Sequence, residues 1–282
     1  MCSNRTSRAF AAIGLFVVSG LVPAQAANVL VVAGTDGIAQ AAAGVLSADL
    51  GGTNTVTVVN TGVPASLAGF TQIYDVRYNN LPAFTVGEMN QYLAFLQAAP
   101  NNTLFLMGEN SGLSFTPHNI LINQFITLAG GGIIAAPAVN SPTGSETLAP
   151  QFATTPNVIA TVKYAACGLV TSTGTGAFAS SEAGGGCSLF FGLGALASAL
   201  QGALVVVYDV NFIATAPSGG AVNEIAFRQN LEHFVSAPPV APPPATTPPT
   251  QSVPTLSVWG QITLALALCA VGAIVSRRRT FA

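Results

Sequence analysis

The segment Leu104-Phe105-Leu106-Met107-Gly108-Glu109-Asn110-Ser111-Gly112 sets polar side chains directly after an apolar run, inside a G-x-x-x-G frame. A strand that enters a tight turn before a helix exposes the central residue of the turn above a sheet, the layout of a nucleophile elbow. Here the centre is Asn110, and an amide cannot act as a thiolate or an activated hydroxyl. Ser111 stands one position on, where its side chain points elsewhere, and His118 follows seven residues later. A Ser111–His118 pair would begin an envelope hydrolase, but no third orienting group stands at a recognisable spacing. The competing reading makes His118 a partly exposed helix residue and His233, beside Glu232, a surface one. No catalytic residue is expected on that reading, which leaves Ser111 and His118 as the weak candidates.

A second constellation is acidic. Asp36, Asp75, Glu109 and Asp209 each follow a predicted strand, and in an open α/β sheet those ends converge on the crevice where ligands bind. Together with Asn110 they form a candidate ligand or metal crevice, whose oxygens suit Ca²⁺ or Mg²⁺. The alternative is that Asp36 caps a helix and the others lie in solvated turns. Gly34-Thr35-Asp36-Gly37 contains neither a G-x-G-x-x-G pattern nor a Lys, so no nucleotide cofactor is expected. Cys167 and Cys187 are the two cysteines outside the terminal segments, and in an oxidising compartment they are expected to pair as a structural disulfide. A redox pair or a metal site are the alternatives. The spacing is too long for C-x-x-C and no His lies nearby.

These residues need a scaffold, and apolar runs alternating with helical stretches supply one. Asn28–Ala33, Thr55–Asn60, Gln72–Val76, Thr103–Met107 and Ala203–Val207 read as strands. Asp36–Leu50, a stretch opened by the capping box Thr85-x-x-Glu88 with Tyr92, Leu93 and Leu96 on its apolar face, Pro117–Leu128 and Val222–Val235 read as helices. A further apolar run covers Gly132–Ala136. The alternation predicts an α/β fold, a mainly parallel sheet with helices on both faces. Residues 140–200, rich in Gly, Ser and Thr, break the rhythm. With the elbow, this order resembles the class I glutamine amidotransferase-like superfamily, whose architecture is flavodoxin-like. That family carries Cys at the elbow centre, and hydrolases with this turn carry Ser. Asn110 departs from both, so the resemblance implies the fold without the chemistry.

The two ends speak about destination. Arg5 and Arg8, the uncharged run Ala9–Val22 and Ala24-Gln25-Ala26 read as a signal peptide over 1–26 with its cleavage site at Ala24 and Ala26. The domain is expected over 27–236. From Ala237 to Ser252 seven of sixteen residues are Pro, the composition of an extended polyproline II linker. In 253–282, Val253-Pro254-Thr255-Leu256-Ser257-Val258-Trp259-Gly260 leads an uncharged stretch to Ser276, closed by Arg277-Arg278-Arg279. Residues 257–276 suffice for one transmembrane helix, with arginines on the cytoplasmic side. Pro254, Thr255, Leu256, Ser257, Trp259 and Gly260, the span and the arginine cluster together resemble the IPTL-CTERM sorting tail of Gram-negative bacteria. Val253 stands where that family usually has Ile, and Val258 where Glu is common. The Ala24–Ala26 site implies signal peptidase as a partner, and the resemblance implies an exosortase-type sorting enzyme. The helix would anchor the chain in the inner membrane before processing, which then delivers it to the cell surface or the medium.

Composition agrees with an exported module. Charged residues make up 6% of 282, hydrophobic residues 50%, and mean hydropathy is +0.58, which excludes a solvated disordered chain and a charge-flanked coiled coil. Between the ends only Arg77, Lys163 and Arg228 are basic, against ten acids. That balance excludes a basic nucleic-acid surface. The leading expectation is a non-catalytic surface or extracellular binding or structural module.

Overall fold

A computed structural model describes residues 26–52, 54–79, 81–110, 115–134, 144–164, 166–214 and 222–238. The chain divides into two units between Pro239 and Val240, and every described residue falls in the first. The predicted signal peptide up to Gln25, the linker beyond Pro238 and the whole sorting tail lie outside the described residues. Among the described residues no helix is long and apolar enough to cross a membrane. The predicted span 257–276 is not among them.

The apolar runs become strands β1 (Asn28–Val32), β2 (Thr55–Val59), β3 (Gln72–Asp75), β4 (Thr103–Met107) and, later in the chain, β9 (Ala203–Val207). They pair in parallel in the order β2-β1-β3-β4-β9. β3, β4 and β9 are buried along their whole length, the signature of strands covered on both faces. The period of two divides them. Val29 and Val31 face the layer holding α1 (Gly37–Leu50), α4 (Asn211–Ala214) and α5 (Glu224–Ser236), while Leu30, Val32 and Ile73 face α2 (Val86–Ala98) and α3 (Thr116–Leu128).

Local signals set the helix starts. Asp36 caps α1 by accepting from the backbone N–H groups of Ile38 and Ala39, and Ala39, Ala42, Ala43, Leu46 and Leu50 form its buried stripe. At α2 the Thr85–Glu88 capping box is closed in both directions.

The expectation of a mainly parallel sheet is corrected. Four strands beyond β9 are antiparallel: β8 (Gly185–Phe191), β7 (Ala177–Glu182), β5 (Glu146–Leu148) and β6 (Thr161–Val162), in that order. The sheet is therefore mixed, with nine strands. The Gly/Ser/Thr-rich region builds this extension because its strands cross closely. A Cβ at Gly186 would stand 2.1 Å from the Ser180 carbonyl oxygen, so only glycine fits there. Residues 132–134 of the run Gly132–Ala136 carry no strand, and 135–136 lie outside the described residues. Cys167 and Cys187 form the expected disulfide, with Cα atoms 5.9 Å apart across 20 residues. Closing a loop of that length stabilises by roughly 3 kcal/mol in the chain-entropy model. Both cysteines are fully buried.

Candidate functional site

The carboxylates predicted at the strand ends are there, but they serve different partners. Asp36 is half-buried and accepts from the Tyr78 hydroxyl at 2.9 Å besides capping α1. Burial alone would raise its carboxyl, but the Tyr78 and backbone hydrogen bonds outweigh it and hold it below the usual range. Asp75, at the end of β3, is 2% exposed and bound to Arg77, which is fully buried. Arg77 Nη2 lies 2.6 Å from Asp75 Oδ2 and Nε 2.9 Å from Oδ1. Tyr92 of α2 donates to the same carboxylate at 2.8 Å, and Arg77 Nη1 reaches Glu88 at 3.0 Å. Glu88 in turn accepts from the Val63 and Thr85 backbone N–H groups. Asp75 is therefore the anchor of an internal ion network and not a solvated turn residue.

Glu109 and Asp209 follow the ends of β4 and β9, which are paired neighbours. Both Glu109 oxygens accept backbone N–H groups, from Asn110 at 2.8 Å and from Val210 at 3.0 Å. Burial raises its carboxyl, and those two bonds lower it in part. Asp209 is fully buried and accepts from the Asn211 N–H at 2.8 Å. Burial, then Glu109 and Glu224, push its carboxyl well above the usual range. Solvated turns are thus corrected to buried, internally bonded ones for Asp75, Glu109 and Asp209. Among the described residues, no three of the carboxylates of Asp36, Asp75, Glu109 and Asp209 bring their oxygens within 4.8 Å of one another. Glu146, Cys167 and Cys187 do bring their ligand atoms that close, with both sulfurs tied up in the disulfide.

β4 ends at Met107 and α3 begins at Thr116, and residues 111–114 between them, Ser111 included, lie outside the described residues. Asn119 of α3 clamps the turn instead, accepting from the Glu109 N–H at 3.1 Å and donating to the Glu109 carbonyl at 2.7 Å. That clamp needs Gly108. A Cβ there would sit 2.6 Å from both Asn119 Oδ1 and the Tyr208 ring. Gly108→Ala should therefore cost about 1–3 kcal/mol by overpacking, read as a lower urea midpoint. An unchanged midpoint would mean the turn is not held this way.

His118 also departs from expectation. It is 2% exposed rather than partly exposed, because α3 lays it against the end of β4, with Nε2 3.1 Å from the Met107 carbonyl and its ring 6.2 Å from that of Phe84. Burial lowers its pKa to about 4, which leaves the ring neutral. α3 buries His118 in line with Ile122 and Phe125, at helical spacing. His233 is exposed on α5, as expected.

Two polar clusters escaped the reading of the sequence. One is the Asp75–Arg77–Glu88–Tyr92 network; its signal was Arg77, one of three bases amid ten acids. The other gathers Glu146, Tyr164, Ser180 and Ser188 beside the disulfide. A surface groove of about 550 Å³ at the start of β3 and β4, lined by residues such as Ala65, Phe70, Gln91 and Phe95, carries no titratable side chain.

Residues 251–279 match the IPTL-CTERM motif. The motif marks a C-terminally sorted, exported protein directed to the cell surface, and it implies processing by an exosortase-type enzyme. A search of curated proteins found no match.

Proposed function

We propose that the chain is an exported cell-envelope protein whose α/β region, 27–236, is a non-catalytic binding or structural module working at the surface or outside the cell. The observation that carries this reading is the sorting motif at 251–279, placed after a proline-rich tether and a domain in a chain with only 6% charged residues. The order β2-β1-β3-β4-β9, with helices on both sides, supports a flavodoxin-like, amidotransferase-like scaffold. Asn110 at the turn supports a scaffold without that family's nucleophile. The carboxylates of the crevice are engaged in holding the fold, which favours recognition through loops and surface over chemistry at the strand ends.

The test is the intact mass of the protein recovered from its native host, separated into membrane, surface and medium. The expected mass lacks residues 1–26 and everything beyond about Val253. A mass that retains Arg277–Arg279 would overturn sorting and leave a membrane-tethered periplasmic domain.

A further inference from the structure

Glu146 is a carboxylate in the wrong kind of place. It is fully buried at the start of β5, and no described cation pairs with it. Its neighbours are the Ser180 hydroxyl, which donates to Oε2, and the Cys187 N–H, which donates to Oε1 at 3.0 Å and to Oε2 at 3.2 Å. Ser180 also meets Ser188 at 2.8 Å and Tyr164 at 2.9 Å. The charged group that bears on it is Glu182 of β7, another acid, and Asp209 reaches the cluster only through Tyr164. A buried carboxylate without a cation is neutralised by a proton instead. Burial, eased by the Ser180 and Cys187 bonds and reinforced by Glu182, raises this one to about 7.

Beside this carboxyl lies the disulfide. A Glu146 oxygen and both sulfurs of Cys167 and Cys187 lie within 4.8 Å of one another, and all three residues are fully buried. We infer that Glu146 is the internal proton acceptor for closure of the Cys167–Cys187 disulfide, and the proton donor for its reductive opening. A thiol in apolar surroundings resists ionisation, and the thiolate is the attacking species in disulfide exchange. A buried cysteine at this site needs a base, and Glu146 is the base at hand.

The co-reactant is a disulfide oxidant, protein or small-molecule. One cysteine, giving up its proton, attacks one sulfur of it to form a mixed disulfide; the oxidant's S–S bond breaks, and its other sulfur takes up that proton and leaves as the first thiol. The remaining cysteine then passes its proton to the Glu146 carboxylate, and its thiolate attacks the sulfur of the mixed disulfide. The Cys167–Cys187 bond forms while the mixed bond breaks, and its electron pair departs on the oxidant's second sulfur, which takes the proton from Glu146. Two cysteine thiols are oxidised and one disulfide is reduced to two thiols. Reduction by a dithiol runs the same path backwards, the protonated carboxyl supplying the departing cysteine. The arrangement is independent of the sorting tail and of any ligand the domain recognises.

The test uses the full chain, reduced and then re-oxidised with oxidised glutathione from pH 5.5 to 9, with the closure step followed by acid-quenched mass spectrometry. The wild type should close with a rate that rises as the Glu146 carboxyl ionises within this range. Glu146→Gln should lose that inflection and close on the order of tenfold more slowly or worse. Identical profiles for the two proteins would overturn the assignment. Should the variant not fold, carbon-13 titration of Glu146 in oxidised and reduced wild type decides. Different midpoints are expected in the two states, and one shared midpoint rejects the coupling.

Discussion

Replacing Arg77 with Met should lower the unfolding free energy of the domain by about 3–5 kcal/mol, because it leaves buried carboxylates without their cation. The guanidinium is fully buried, Asp75 is 2% exposed, and the Glu88 side chain is 13% exposed. Burial would lower the Arg77 pKa, but Asp75, its hydrogen bond and then Tyr92 and Glu88 more than reverse this, so the side chain stays charged at any accessible pH. The pairing is two-pronged, Nε and Nη2 onto one carboxylate, the geometry in which arginine outperforms lysine. Its face lies 5.7 Å from the Phe84 ring, a contact that adds up to about 2 kcal/mol when desolvated.

The double variant Asp75→Asn/Arg77→Met separates the pair from the packing. The introduced amide is neutral and can still accept from Tyr92, so the double variant should recover a large part of the loss. Urea unfolding of the full chain, followed by far-UV circular dichroism, reads both. A loss below about 1 kcal/mol for Arg77→Met would place the pair among weak surface ion pairs and contradict the burial described here.

This network also shows what the sequence could and could not reveal. β1, β3, β4 and β9 were legible because strands buried on both faces are written as unbroken apolar runs. α2 was legible from its capping box. The antiparallel half was not. β5 has three residues and β6 two, and β7 reads Ala-Phe-Ala-Ser-Ser-Glu, too short or too small in side chain to carry a period. β6 exists through pairing with β5, β5 through pairing with β7 some 34 residues on, and β7 through its hairpin with β8, pairings that the composition of each short strand does not announce. The strand-end carboxylates were located correctly, yet their roles depended on partners distant in the chain. Tyr92 comes 17 residues after Asp75, and Val210 comes 101 after Glu109. Sequence placed the groups at the strand ends, and only the fold shows that Asp75, Glu109 and Asp209 turn inward.

The same inward-turned acids should invert the usual pH dependence, so that stability falls by several kcal/mol as pH rises from 5 to 8. Glu146 is raised to about 7 by burial. Glu232 is raised to about 8, by burial and then by Asp49, with Arg228 opposing. Arg228 sits 2.8 Å from Asp49 and 3.7 Å from Glu232, so one cation serves two acids and favours Asp49. In the unfolded chain both glutamates titrate near 4.5. The stability they confer is therefore complete below that value and is lost as pH rises through about 7 and about 8. Each proton kept by the folded state alone gives a slope of about 1.4 kcal/mol per pH unit. His118 works in the opposite sense. Its folded value near 4 lies below the unfolded 6.5, so its contribution is present above pH 6.5 and is lost as pH falls toward 4. Between pH 5 and 6.5 it cancels one of the two glutamates; above 6.5 nothing in this set opposes them. Glu109 and Asp209, also raised, act in the same direction as the glutamates. Asp36 is lowered from 3.8 and so contributes nothing new above pH 5. Urea midpoints at pH 5, 6.5 and 8 should fall in that order, with Glu146 ceasing to contribute above about pH 7 and Glu232 carrying the rest of the drop. Glu232→Gln should flatten the upper interval, because its amide has no proton to lose. A midpoint that holds level or climbs from pH 5 to 8 would mean that these carboxyls ionise without cost, against their burial.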